Sequence, residues 1–250
     1  MKQTDAIIPV YRGLRETRDC IESALETLSV TDTRLIIIND HSPEPAITEY
    51  LQTTAKKYPD FITLIENHEN LGFIESVNLG FALNPEHDVI ILNSDVIVAN
   101  DWLSRMRAAA ESDPRIGSVT PFSNNATICS FPNIFQENEL FENLSVAELD
   151  GACAQANPAS SVIDIPTGVG CCMFVRRECL NQVGFFDSRF GKGYGEENEW
   201  CQRAAKAGWR NTLALNVFVE HKGGTSFAGQ RRAAQDTALE TLIRLYPEYL

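Results

Sequence analysis

The chain has 250 residues, 44% of them hydrophobic, enough for one large α/β core. No Gly-, Ser- or Pro-rich linker divides it, so a single domain is expected over residues 1–250. Acidic residues outnumber basic ones 34 to 21, for a net charge of −13. That balance opposes non-specific binding to nucleic acid or an anionic membrane, both of which require basic patches.

A first strand is expected over residues 5–10, ending at Pro9-Val10-Tyr11-Arg12-Gly13. It starts so early that a signal peptide has no room. Leu14, Ile21, Ala24, Leu25 and Leu28 then share one face of a helix. Residues 34–38 form a second buried strand ending in Asn39-Asp40-His41-Ser42. Ser42 reads as an N-cap with Pro43 at the first helical position, opening a helix that turns Ile47, Leu51 and Tyr58 inward. A third strand over residues 61–65 leads to Asn67, Asn70-Leu71-Gly72-Phe73 and a helix ending near Leu83. Val89-Ile90-Ile91-Leu92 then reads as a strand buried on both faces, and it stops on Asn93-Ser94-Asp95. Strand and helix thus alternate as in a doubly wound parallel sheet, whose polar loops gather along one edge.

The second half is less regular. A strand at about residues 116–120 precedes the loop 121–125, and Ser145 with Glu148 has capping-box spacing. Residues 163–175 read as one bent strand through Pro166-Thr167-Gly168-Val169-Gly170. A glycine-rich run follows, with Gly191, Gly193 and Gly195 around Lys192 and Tyr194. A helix from about Asn198 then ends at Gly208. Two short strands, 212–215 and 217–219, lead to His221. A basic loop and a helix carrying Ala238, Leu239, Leu242, Ile243 and Tyr246 close the chain.

The seven cysteines include no CxxC pair, which leaves zinc-ribbon and thioredoxin-type sites unsupported. Most fall in apolar stretches and read as core thiols in a reducing, cytoplasmic setting. No apolar run approaches the ~20 residues of a membrane span. The sequons at Asn125 and Asn143 read as chance matches. Gly168 and Gly170 lack the third glycine of a dinucleotide fingerprint, and Gly191-Lys192-Gly193 lacks the Ser or Thr of a P-loop.

Three positions carry candidate chemistry. Asp95 ends a central strand where open α/β sheets bind ligands, and a short carboxylate there suits Mg²⁺ or Mn²⁺ shared with substrate phosphates. The competing reading is a polar strand end that caps the helix beginning near Trp102. Glu196 and Glu197 open a helix, which the helix dipole alone explains. They also follow a glycine loop, and adjacent carboxylates raise one another's pKa, which suits one of them to accepting a proton. His221 ends a strand; it reads either as an ordinary satisfied polar residue or as an imidazole completing a metal shell.

Pro9-Val10-Tyr11, Asn39-Asp40, Asn70-Leu71-Gly72-Phe73 with Asn78-Leu79-Gly80, Asn93-Ser94-Asp95, Gly168 and the Glu196-Glu197 helix occur in the order seen in family 2 glycosyltransferases. From about residue 5 to 228 the chain resembles that family, nearest to bacterial enzymes that build O-antigen, capsule or rhamnose-containing polysaccharide. The resemblance implies the GT-A fold, with residues 1–120 as the nucleotide-sugar half and 121–250 as the acceptor and catalytic half. Pro9, Val10, Tyr11, Arg12 and Asp40 would hold base and ribose, with Gly72, Phe73, Asn78, Asn93 and Ser94 on the same nucleotide-sugar side. Asp95 and His221 would hold Mg²⁺ or Mn²⁺ on the diphosphate. Glu197 would be the base, with Glu196 beside it, and Gly168, Tyr194 and Trp200 would meet the acceptor. Asn93 stands where the family has its first DxD acid, and Glu197 where the family usually has Asp.

The expected reaction is transfer of a sugar, with inversion, from a UDP-, dTDP- or GDP-linked donor. The acceptor is a glycan or lipid-linked oligosaccharide hydroxyl, and any peripheral membrane association falls to other domains. Lys222, Arg231 and Arg232 would belong to a lid that closes over the diphosphate. A nucleotidyltransferase of similar fold would want a glycine-rich phosphate loop after the first strand, and Tyr11-Arg12-Gly13 is a poor version of one. A binding-only module would have no use for Asp95, Glu197 and His221 together.

Overall fold

A computed structural model describes residues 2–157, 161–223 and 231–249, with the side chains of 231–235 outside the description. The first half alternates as expected: β1 (Thr4–Val10), α1 (Leu14–Thr27), β2 (Thr33–Asn39), α2 (Pro45–Lys57), β3 (Ile62–Glu66), α3 (Phe73–Leu83) and β4 (Asp88–Leu92). These strands lie parallel in the order β3-β2-β1-β4. Ile8, Ile37 and Ile90 pack against α1 and α2, while Ile7, Ile36, Ile91 and α3 form a second core on the other face. Both faces are covered, which is why these strands are unbroken apolar runs. The chain reverses its winding at β1, so the switch point where a ligand seats lies between the ends of β1 and β4.

Beyond β4 the pairing becomes mixed. β5 (Val96–Ile97), α4 (Trp102–Glu111), β6 (Ile116–Ser123), α5 (Val146–Ala156), β7 (Val162–Asp164), β8 (Cys172–Val175) and α6 (Arg177–Val183) lead to α7 (Glu196–Lys206), β9 (Arg210–His221) and α8 (Arg231–Leu245). β8 inserts antiparallel between β4 and β6, and β9 runs parallel to β6. Antiparallel β5 and β7 both pair with β9. One sheet therefore carries strand ends from both halves to the same edge.

Several elements differ from the sequence expectation. α2 starts at Pro45 because Ser42 is committed to a turn: its N–H donates to Asn39 Oδ1 (2.9 Å) and its hydroxyl accepts from Glu44 N (3.2 Å). Residues 163–175 are two strands with a loop between, since Pro166, Gly168 and Gly170 interrupt pairing. The two short strands before His221 are one strand, bulged where Pro121 pairs with Ala214 and Phe122 with Phe218. Arg105 binds the Asn216 carbonyl inside that bulge and the buried Asp150 carboxylate beside it. On α8, Leu239 is 43% exposed while Ala238 and Leu242 are buried, as is Tyr246 just past its end. The Ser145 capping box forms, with Ser145 N donating to Glu148 Oε2 at 2.8 Å.

The cysteines are all free, and most are buried. Burial pushes the thiols of Cys20, Cys129, Cys172, Cys179 and Cys201 up, which keeps them protonated and inert. Among the described residues no helix is long and apolar enough to cross a membrane.

Candidate active site

Asp95 sits in a tight turn between β4 and β5, where Val96 N donates to the Asn93 carbonyl (3.1 Å). β5 pairs Val96 with His221, which brings the end of β9 alongside. Asp95 Oδ1 and His221 Nε2 stand 3.3 Å apart, with side chains only 13% and 15% exposed. His221 Nδ1 lies 2.7 Å from the Asn125 carbonyl, an acceptor only, so Nδ1 carries a proton and donates. Nε2 therefore meets the carboxylate across a gap that needs positive charge, either a proton or a cation. Burial favours the neutral ring, but the Cys171 and Asp95 side chains outweigh it and hold the His221 pKa well above its usual value. Asn93 Oδ1 is buried beside this pair without a hydrogen-bond partner.

Those features fit a divalent cation with one carboxylate and one imidazole ligand, the imidazole aimed by a carbonyl behind it. Among the described residues no group of three or more His, Cys, Asp or Glu side chains is arranged to hold a metal. The remaining ligands would come from substrate oxygens.

The acidic pair lies in the first turn of α7, which begins at Glu196 and not at Asn198. Glu196 is 4% exposed, and its Oε2 has no partner. Burial and the neighbouring Glu197 carboxylate push its pKa well above the usual range. Glu197 is partly exposed and faces Gly170, whose Cβ, if present, would lie 3.9 Å from it. Burial pushes the Glu197 pKa up too, against the pull of backbone N–H groups of Glu197, Gly195 and Asn198. Thr167 latches the 166–170 loop to α7 by donating to Asn198 Oδ1 at 2.7 Å.

The next residue, Cys171, is 5% exposed, and its side chain is among the groups that raise the His221 pKa. Its carbonyl accepts from Asn93 N at 2.8 Å. Gly170, which Glu197 faces, and Cys171, which holds Asn93, are consecutive residues, about 3.8 Å apart from Cα to Cα.

On the other flank, Asp40 is buried and holds residues 67–72. Its Oδ1 accepts from Asn67 Nδ2 (2.9 Å) and Leu71 N (2.8 Å), and its Oδ2 from Gly72 N (2.8 Å). Gly72 takes φ +88°, and a Cβ there would stand 2.8 Å from the Lys192 Cα. Pro9 and Tyr11 are partly exposed at the end of β1, with Val10 buried. The Arg12 guanidinium lies 5.3 Å from the centroid of the Tyr11 ring. A polar cavity of about 550 Å³ opens beyond Lys222 and Asn124, towards Arg15 and Glu16 of α1, and not at Glu197.

Three expected contacts are corrected. Trp200 is fully buried, with Nε1 donating to the Gly184 carbonyl (2.9 Å), so it belongs to the core and not to an acceptor surface. Gly168 is buried against Met173 and Thr120, where a Cβ would come within 3.0 Å of each. Asn78 spends its amide on the Phe186 backbone, donating and accepting at 3.0 Å, so it clamps the 185–187 segment and lines nothing. Phe73 and Tyr194 are partly buried, packed against the core on the α7 side. Lys222 pairs with Asp19 at 2.6 Å, while residues 224–230 and the side chains of Arg231 and Arg232, the rest of the expected lid, lie outside the described residues. Sequence reasoning missed Lys192, Cys171 and Asn125.

The model of Glycosyl transferase family 2 matches residues 5–184. The N-acetylglucosaminyl-diphospho-decaprenol L-rhamnosyltransferase of two Mycobacterium tuberculosis strains is 26% identical over 243 residues, covering 86% of this chain and 76% of the relative. GalNAc-T7, solved with UDP, GalNAc and Mn²⁺, superposes with TM-score 0.74 at 13% identity, over 99% of this chain and 48% of its own. The mannosyltransferase PcManGT of Pyrobaculum calidifontis, solved with GDP-Man and Mn²⁺, gives 0.69 at 17% identity, over 97% and 64%. S. aureus TarS 1-349 gives 0.59 at 12%, over 88% and 60%. The chain spans about half to two thirds of the length of these three structures.

Proposed function

The chain belongs to glycosyltransferase family 2, and from that premise we propose that it moves a sugar, with inversion, from a nucleoside-diphosphate donor to a hydroxyl of a lipid-linked saccharide in bacterial surface-polysaccharide synthesis. The observation that carries the reading is the buried Asp95–His221 pair, 3.3 Å apart where β4 and β9 end, with Glu197 facing the Gly170 backbone. Pro9, Tyr11 and Arg12 form the nucleotide side, in the half spanning residues 1–120. Asp40, expected to meet the base, spends both carboxylate oxygens on residues 67–72, and the Val10 side chain lies in the core. Asp95 and His221 are the residues that would hold Mg²⁺ or Mn²⁺. Such an ion, when bound, neutralises charge growing on the leaving diphosphate. Glu197, held ready to take a proton by its raised pKa, accepts it from the acceptor hydroxyl as the new bond forms on the face opposite the leaving group. The half spanning residues 121–250 supplies the acceptor side, through Tyr194 and the 166–171 loop.

The relative's name makes a deoxyhexose donor and a diphosphate-linked polyprenyl saccharide the first substrates to try. Screening UDP-, dTDP- and GDP-linked sugars with Mn²⁺ or Mg²⁺ and that acceptor class should give acceptor-dependent release of a nucleoside diphosphate. Nucleotidyl transfer, with pyrophosphate released in its place, would refute the reading.

A further inference from the structure

Lys192 stands four residues before the acidic pair, in a segment whose own shape is loosely determined. Gly191, Gly193 and Gly195 take φ of +73°, +148° and +85°, and Tyr194 takes +76°. A glycine-rich run of this kind keeps one conformation only where contacts impose it. Lys192 makes such contacts with residues 70–73. Its carbonyl accepts from Phe73 N (3.0 Å). Its ammonium donates to the Asn70 carbonyl (3.2 Å) and Asn70 Oδ1 (2.5 Å). Its Cα fills the space that Gly72 leaves by having no side chain. From the opposite side, Asp40 grips the same loop through the N–H groups of Leu71 and Gly72, at 2.8 Å each.

We propose that Lys192 is a positioning residue: clamped to the loop that Asp40 holds, it fixes the start of α7 and so sets where Glu197 presents its carboxylate. The nucleotide side and the base side of the crevice keep register through this clamp. The inference rests on Glu197 being the base. It departs from plain loop packing in what it requires of the ammonium. That group reaches the surface, where one hydrogen bond adds little to stability, yet small misplacement of a reacting group costs rate steeply.

Lys192→Ala keeps the backbone contact to Phe73 and removes the contacts to Asn70; Lys192→Arg restores donors there. With Ala, kcat should fall about tenfold at saturating donor, as expected for a displaced base. The Kd of the nucleoside diphosphate with Mn²⁺ should stay within about twofold, and Arg should recover most of the rate. Hydrogen exchange of the free protein gives a readout that needs no turnover. In Lys192→Ala, residues 195–198 should exchange about tenfold faster, with residues 203–206 unchanged and the Arg variant matching wild type. Unchanged exchange at 195–198, or kcat within twofold of wild type, overturns the proposal. A loss of donor affinity equal to the loss of rate also overturns it, because Lys192 would then touch the donor. Faster exchange in a protein whose wild type transfers no sugar would leave the clamp standing and remove the reading of Glu197 instead.

Discussion

Glu196 and Glu197 are neighbours in sequence and differ in phase on the helix. Glu196 lies one turn before Trp200, and both are on the buried face of α7, with Glu199, Cys201 and Ala204. Glu197 stands on the flank that faces Gly170, with its Oε2 buried and without a hydrogen-bond partner. The same phase explains the misplaced Trp200: an aromatic near a glycine loop suggests a pocket wall, but one helical turn carries it inward. Trp200→Phe, which loses the bond to the Gly184 carbonyl, should lower stability by about 1–3 kcal/mol with the KM for acceptor unchanged. A selective rise in that KM would return Trp200 to the acceptor surface. Glu196 makes a second prediction, on pH. A carboxylate whose folded pKa is raised contributes stability fully below its ordinary pKa, and that stability is lost as pH rises through the raised value. Glu196→Gln should therefore flatten the pH dependence of the urea midpoint on the alkaline side of ordinary carboxylate titration. At pH 8 it should be more stable than wild type by about 1–3 kcal/mol, the scale for a buried polar group without a partner. Equal or lower stability at pH 8 would mean that Glu196 is well solvated in the folded state.

At the scale of elements, legibility followed how each strand is covered. β1, β2 and β4 are apolar on both faces, so they read as plain runs. β9 is broken in the sequence by Asn216, which the fold buries in a bulge, and tertiary contacts from Arg105 keep it one strand. α6, seven residues long, is too short for a periodic signal. The site divides in the same way. Asp95, Glu197 and His221 are proposed for their side chains, whose chemistry a sequence displays. Asn125 and Cys171 contribute main-chain carbonyls, which any residue possesses, and the Lys192 ammonium meets Asn70 from 122 residues away, so no residue pattern announces them. Gly72 is the exception, a backbone requirement written as a residue. With φ +88° and a Cβ clash of 2.8 Å against the Lys192 main chain, Gly72→Ala should cost about 1–3 kcal/mol in urea unfolding. A substitution free of cost would mean that the 70–73 and 191–195 loops do not press together in solution.

Across the whole molecule, a run of contacts and short chain segments leads from Asp40 to Asp95. Asp40 holds Gly72, and Gly72 abuts Lys192. Lys192 leads into Glu197, which faces Gly170. Cys171 then accepts from Asn93 N, two residues before Asp95, which His221 faces. A protein of net charge −13 has little intrinsic attraction for a diphosphate, so a cation at Asp95 and His221 would reconcile the charges. Asp95→Ala should accordingly abolish the Mn²⁺- or Mg²⁺-dependent part of nucleoside-diphosphate binding measured by calorimetry. Wild-type affinity in that variant would remove Asp95 from the metal site.

The division of labour between Glu197 and the Asp95–His221 pair is tested most directly by one variant carried through two measurements. Glu197→Gln preserves shape and removes the proton acceptor. Nucleoside-diphosphate affinity with Mn²⁺ should match wild type, while sugar transfer falls by ~10²–10⁴-fold, the usual contribution of a positioned base. Transfer within a few-fold of wild type, or an equal fall in Glu196→Gln with Glu197→Gln still active, would contradict the assignment of Glu197 as the base.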